Sequence, residues 1–327
     1  MLLVLVGGML VKKSNPVTSG DKGRSDVQNT SKKAKKLNSL NKSLKKKHFI
    51  GVYVKTSSEN VRSIESFGTA NGQVSFSDHT IVPIGDLQVL FNKYVLSDLL
   101  NRKKISTTKN LHDFFKNIPE SSHITIKDVL TGKKLLYISQ KGLINLPYDK
   151  SVKYIDDNIN VASPRSKETS AMNGQIMAVL ISKIYGNDYQ NVMSKYFRKL
   201  KFQDVEFYNG QKLGVMDAVS YKKHSSDGIL LQDRQYNNGK RTHMFGSNNL
   251  KMSIADINHL FKLVDKNFGQ EGYKHLSNTN ISGNAIILTT GGFTIGHQAD
   301  DNKSALVISN YAGFNIEKII ENVFSSY

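Results

Sequence analysis

Apolar, strand-like runs stand at both ends of residues 48–327 and helix-period stretches fill the interval between them. That pattern limits the chain to folds in which the two ends share one sheet. Residues 48–54 (HFIGVYV) and 62–70 open the region as strands, the second leading into a glycine turn at Asn71 and Gly72. Residues 285–290, 294–298 and 305–310 close it as strands, followed by a helix over 316–325. Helical periodicity marks 87–100, 173–185, 189–200 and 254–267. The expected class is α+β: an antiparallel sheet built from both chain ends and flanked by helices, with an all-helical region inserted between. No internal repeat is evident.

Two segments precede this domain. Residues 1–11 (MLLVLVGGMLV) are an apolar run of signal h-region length, shorter than the roughly 20 residues of a spanning helix. They read as the remnant of an export signal or anchor, or alternatively as a buried first strand. Residues 12–47 carry twelve Lys or Arg against only Asp21 and Asp26, a net +10 out of the chain's +18. So little large apolar surface accompanies this charge that the segment is expected to be a solvated linker. It serves either as a spacer or as an electrostatic contact to anionic lipid or to polyphosphate wall polymers. Nucleic acid is not expected, because no aromatic residues are interleaved to stack on bases. The organisation is therefore 1–11, 12–47 and 48–327.

The chain has no cysteine, which excludes disulfides and thiolate metal sites and suits the outer face of an envelope that does without disulfides. Its nine histidines show no ligand spacing, so no metal and no cofactor is expected.

Several local stretches follow one another in a telling order. Ile50-Gly51-Val52-Tyr53-Val54 is followed by Ser66-Phe67-Gly68-Thr69-Ala70, then by Ile84-Gly85 before an apolar helix that ends at Arg102-Lys103-Lys104-Ile105. The segment from His123 to Thr131 (HITIKDVLT) is the most specific. SNNLKMSIADINHL from Ser247 and ALVISNY from Ala305 complete the series. Across residues 48–327 this order resembles the class C β-lactamase, D-alanyl-D-alanine peptidase and esterase branch of the serine β-lactamase and penicillin-binding-protein superfamily. The resemblance implies a β-lactamase-like (DD-peptidase/transpeptidase-like) fold.

It also implies a serine nucleophile directly after Ile-Gly, with a lysine one turn on to take its proton. Those positions hold Asp86 and Val89. Asp86 instead reads as a helix N-cap. The Tyr-x-Asn element falls on Thr169, Ser170 and Ala171. The Lys/His-x-Gly element falls near Ile286, Ile287 and Leu288, with Ser282-Gly283 or Gly291-Gly292 as its glycine remnant. The cleft candidates are Asp86, Gln88, Ser170, Asn173, Gly291 and Gly292. Ser106 has Lys109 three positions on, and Ser19, Ser39, Ser43 and Ser220 also have a lysine at that spacing, as a Lys- and Ser-rich chain produces by chance. Tyr185-Gly186-Asn187 and Tyr236-Asn237-Asn238 read as turns. The resemblance places His243 and His297 near the cleft.

By resemblance, relatives act on D-alanyl peptides of peptidoglycan or D-alanyl esters of teichoic acid. The expectation is a catalytically inactive protein held at the extracellular face of the membrane of a Gram-positive-type bacterium. Its partner would be peptidoglycan, teichoic acid, an anionic membrane surface or a wall-synthesis protein. Two alternatives stand beside it: a working hydrolase using Ser106, Ser282 or the Asp86 carboxylate, and a polyanion-adhesion protein acting through its basic segment.

Overall fold

The computed structural model describes residues 22–57, 62–132, 136–139, 143, 146, 148–161, 170–208, 213–223, 230–232, 245–276, 279–311 and 313–327. Residues 1–11, Thr169, Tyr236-Asn237-Asn238 and His243 lie outside them.

In chain order the elements are α1 (Lys22–Lys46), β1 (Gly51–Ser57), β2 (Arg62–Phe67), β3 (Ile81–Pro83), α2 (Leu87–Lys103) and α3 (Ile126–Thr131). Next come β4 (Leu136–Tyr137), α4 (Tyr148–Asn158), β5 (Asn160–Val161), α5 (Ser170–Tyr185) and α6 (Tyr189–Lys199). β6 (Val205–Phe207), β7 (Tyr221–Lys223), β8 (Leu230–Gln232), β9 (Leu250–Ser253) and α7 (Ile254–Phe268) lead to β10 (Thr279–Ser282), β11 (Ala285–Thr290), β12 (Phe293–Ala299), β13 (Lys303–Ser309) and α8 (Ile316–Phe324).

The main sheet has the order β10-β11-β12-β13-β1-β2, antiparallel throughout. β1 lies between β13 and β2, with Gly51 opposite Ser309 and Val54 opposite Leu306, so the two ends of the domain do share a sheet. Side chains alternate across it, as the two-residue period of a strand requires. Val52, Val54, Leu306 and Ile308 join the core that holds α2, α5 and α7. Tyr53, Ala305 and Val307 face the opposite way, toward Ile316, Ile320 and Val323 of α8. A second sheet, β3-β9-β6, sets Ile81 opposite Ser253 and leads straight into both α2 and α7.

α2 is wrapped by protein. Leu87, Leu90, Phe91, Val95, Leu96, Leu99 and Leu100 are all buried, and Phe91 stacks on Phe197 at 5.3 Å with Phe202 edge-on at 5.5 Å. Truncating such a ring costs about 3–5 kcal/mol. α3 begins with a reciprocal cap: Thr125 accepts from the Asp128 amide, and the Asp128 carboxylate accepts from the Thr125 amide at 2.8 Å.

The expectation of a solvated linker over 12–47 is corrected at residues 22–46, which form α1. Leu37, Leu40, Asn41 and Leu44 make one stripe at helical spacing. Leu44 is buried, and Leu37 and Leu40 pack against the α8 face of the sheet. Tyr53 donates its hydroxyl to Asn41 at 2.8 Å, and Lys36 donates to Ser325 at 2.7 Å. Three leucines are too few to stabilise a free helix, and the docking surface supplies the rest.

Candidate active site

The head of α2 is built by a tight approach. Gly85 has φ +54, and a Cβ there would lie 2.4 Å from the Cβ of Thr290, so only glycine lets the end of β11 close on the residue before Asp86. Gly291 and Gly292 then turn the chain at φ +54 and +81 into β12. The structure thus brings Asp86 beside the Gly291-Gly292 turn.

Asp86 does not cap the helix through its side chain, a correction to the sequence expectation. It adopts helical angles (φ −66, ψ −11) in place of the extended conformation of a capping residue. The amides of Gln88 and Val89 are taken by the carbonyls of Gly85 (3.1 Å) and Asp86 (3.0 Å), so the turn is closed by backbone alone. Asp86 keeps 4% of its surface and Val89 6%. The Val89 isopropyl group faces Gly174 of α5, where an added Cβ would stand 3.0 Å from Val89 Cγ2 and 2.7 Å from the Gly246 carbonyl. That space is filled.

Gln88 is a buried strut, and its place among the cleft candidates is corrected. Its side-chain amide donates to Asn249 Oδ1 (2.6 Å) and Tyr189 (3.2 Å), and its carbonyl accepts from the Asn249 backbone (2.9 Å). Tyr189 donates onward to Asn92 at 2.7 Å, and Asn92 donates to the carbonyls of Gly174 and Gly246 at 3.1 and 2.8 Å. Burial raises the Tyr189 hydroxyl well above its ordinary range, against the lowering effect of its bonds to Gln88 and Asn92. This network ties α2 to α5, α6 and the approach to β9. Asn92, Tyr189 and Asn249 went unnoticed in the sequence. The available signal was Gln88 and Asn92 at i, i+4 among the leucines, valine and phenylalanine of the first half of α2.

The other candidates divide. Asn173, half-buried in the first turn of α5, shares a small cavity with Val89, Lys93 and His275. Ser170 and Ala171 open the same helix, and their side chains lie outside the described residues. Ser247 and Thr290, also unnoticed, flank the site. Thr290 Oγ1 lies 3.5 Å from Asn248 Oδ1, and Asn248 holds φ +54, a left-handed backbone that Asn tolerates.

No serine and lysine pair up here among the described residues. Ser247 is fully buried and its hydroxyl has no hydrogen-bond partner. Lys93, whose ammonium is destabilised by burial, lies over the Phe268 ring at 4.7 Å. Ser106 bonds Thr108 at 2.7 Å beyond the far end of α2, about 25 Å from Asp86. Ser282 donates to Glu317 of α8. It lies opposite Ala285, at the end of β11 away from Thr290. Neither lies at the head of α2. Tyr185, Gly186 and Asn187 form the turn between α5 and α6. His297 is also corrected: it pairs with Ile286, stacks on Phe261 at 4.1 Å and bonds Asp265 at 2.8 Å, about 13 Å along β12 from the glycine turn.

A six-stranded antiparallel sheet from both chain ends, with a buried helix starting against the end of an inner strand, is the fold of the serine β-lactamases and penicillin-binding proteins. The chain superposes on FmtA from Staphylococcus aureus with a TM-score of 0.68 at 19% identity, covering 89% of this chain and 87% of that one. A penicillin-binding protein from Bacillus halodurans gives 0.63 at 14% identity, covering 88% and 99%. D-amino acid amidase from Ochrobactrum anthropi gives 0.63 at 14%, covering 88% and 98%. At these identities the likeness is one of fold. No protein-family model matches the sequence, and no curated protein matches it in sequence.

Proposed function

We propose that this chain is a non-hydrolytic, envelope-associated protein on the serine β-lactamase and penicillin-binding-protein fold, which binds a cell-wall component and does not cleave it. One observation carries the reading. The positions that the sequence resemblance assigns to nucleophile and base hold Asp86 and Val89, and both side chains are packed away from solvent. The carboxylate of Asp86 supplies no hydroxyl to attack as a serine would, and the isopropyl group of Val89 cannot take up a proton as a lysine amine would.

The names of the similar structures refer to penicillin, to D-amino acids and, for a Yersinia pestis protein, to D-alanine carboxypeptidase. We take a D-alanylated wall polymer as the ligand class, and the +18 charge favours the polyanionic, teichoic-acid type over peptidoglycan. The likeness to FmtA supports a Gram-positive-type envelope as the setting. Among the described residues no helix is long and apolar enough to cross a membrane.

A fluorescent penicillin or a fluorophosphonate probe, incubated with the purified chain and followed by intact-mass spectrometry, is expected to leave it unmodified. Stoichiometric acylation at any serine would sink the reading. Restoring the missing pair by Asp86→Ser with Val89→Lys is expected to give no acyl adduct either, because the Tyr-x-Asn and Lys/His-x-Gly elements that the resemblance also calls for are missing from the sequence.

A further inference from the structure

We propose that the outward face of α1 is a rigid docking surface for an anionic membrane, which holds the domain with its α2 side turned away from the lipid. This goes beyond the wall-ligand reading and does not rest on it. Lys33, Lys35, Lys42, Lys45, Lys46 and Lys47 are all exposed on or just beyond α1, and no acidic residue lies between positions 33 and 47. The apolar stripe of the helix is committed to the domain through Leu37, Leu40 and Leu44, and at helical spacing Lys35, Lys42 and Lys46 fall on the opposite side, away from the domain, with Lys45 beside them. Lys33 falls on the stripe's own side and adds to the cations of the sheet: burial, then Lys303, then Lys33 lower the pKa of Lys55 on the neighbouring strand. A row of fixed cations about 17 Å long attracts an anionic surface, each basic residue raising affinity about fivefold.

Two observations favour lipid over a soluble polyanion. An apolar groove of about 260 Å³ runs between α1 and α8, floored by Leu40, Leu44, Phe49 and Phe314 and rimmed by Lys47 and Lys318. Cations beside an apolar slot match a phosphate headgroup with its acyl chain. The apolar stretch at residues 1–11 also stands only ten residues before α1.

The geometry then sets the orientation. α1 packs on the α8 face of the sheet, whereas α2, α5 and the residues around Asp86 belong to the core on the other face. As a coil, residues 12–47 would leave the domain adrift over roughly 30 Å. As a docked helix they hold its rear face within about one Debye length, about 10 Å at 0.1 M salt.

The test is co-sedimentation of the full chain with phosphatidylcholine vesicles, with and without phosphatidylglycerol. Two variants of equal net charge are compared: Lys35, Lys42, Lys45 and Lys46 each to Glu, and Lys103, Lys116, Lys127 and Lys150 each to Glu. Circular dichroism establishes that both are folded. The expected result is a phosphatidylglycerol-dependent increment that falls at least about 100-fold in the α1 variant, survives in the control variant, and vanishes at 1 M salt where the Debye length is about 3 Å. Residues 1–11 contribute equally in every arm, so they drop out of the comparison. Equal loss in both variants would reduce the effect to net charge and overturn the proposal. So would unchanged binding of the α1 variant, or α1-dependent capture of soluble polyglycerol phosphate more tightly than of the vesicles.

Discussion

At the scale of single residues, the interior around the head of α2 depends on a few paired polar side chains. Gln88 uses both ends of its amide and is fully buried. Gln88→Ala orphans Asn249 and opens a cavity, and is expected to lower unfolding free energy by about 3 kcal/mol, read from urea melts. Lys251 is a second such point. Burial depresses its ammonium, yet the Asp217 and Glu206 carboxylates, each at 2.8 Å, outweigh burial and raise its pKa. A cation whose folded pKa is raised lends stability below its unfolded pKa of about 10.4 and loses it as pH climbs through the folded value. Lys251→Met is therefore expected to cost about 3 kcal/mol at neutral pH by leaving Asp217 buried and unpaired. The same variant should blunt the alkaline fall in stability seen by thermal melts across that range. The sequence revealed which residue types occupy the head of α2. It did not reveal that Gln88 points inward, because polar and apolar residues are spread around α2 without one apolar face to read. Nor did it show that Asp86 enters the helix with backbone angles that preclude capping.

Among elements, strands and long helices were legible because each carries its own period. The stretch 285–290 matches β11 end for end, and 254–267 differs from α7 by one residue. α1 escaped for the opposite reason. Its composition is that of a soluble spacer, and its helical form depends on a surface assembled from β1, β13 and α8, elements distant in sequence. Leu37, Leu40 and Leu44 at helical spacing were the only local trace. Leu44→Asp is expected to release α1 while leaving the domain folded. Hydrogen exchange over residues 33–46 should then rise to the rate of an unstructured peptide, while exchange in β11–β13 stays slow.

For the molecule as a whole, α8 closes one face of the sheet with Ile316, Ile320 and Val323 packed on Tyr53, Ala305 and Val307. Deleting residues 316–327 is expected to abolish the cooperative melting transition and to produce dye binding to the exposed sheet. A sharp melt within a few degrees of the full chain would contradict that. The pairing of Gly51 with Ser309 also has a kinetic meaning. β1 is made early and its neighbour β13 far later in the chain, so a growing chain carries an open edge until β13 has been made. The sheet therefore locks only when β13 meets β1, so the strands between them must hold their shape until that late partner arrives.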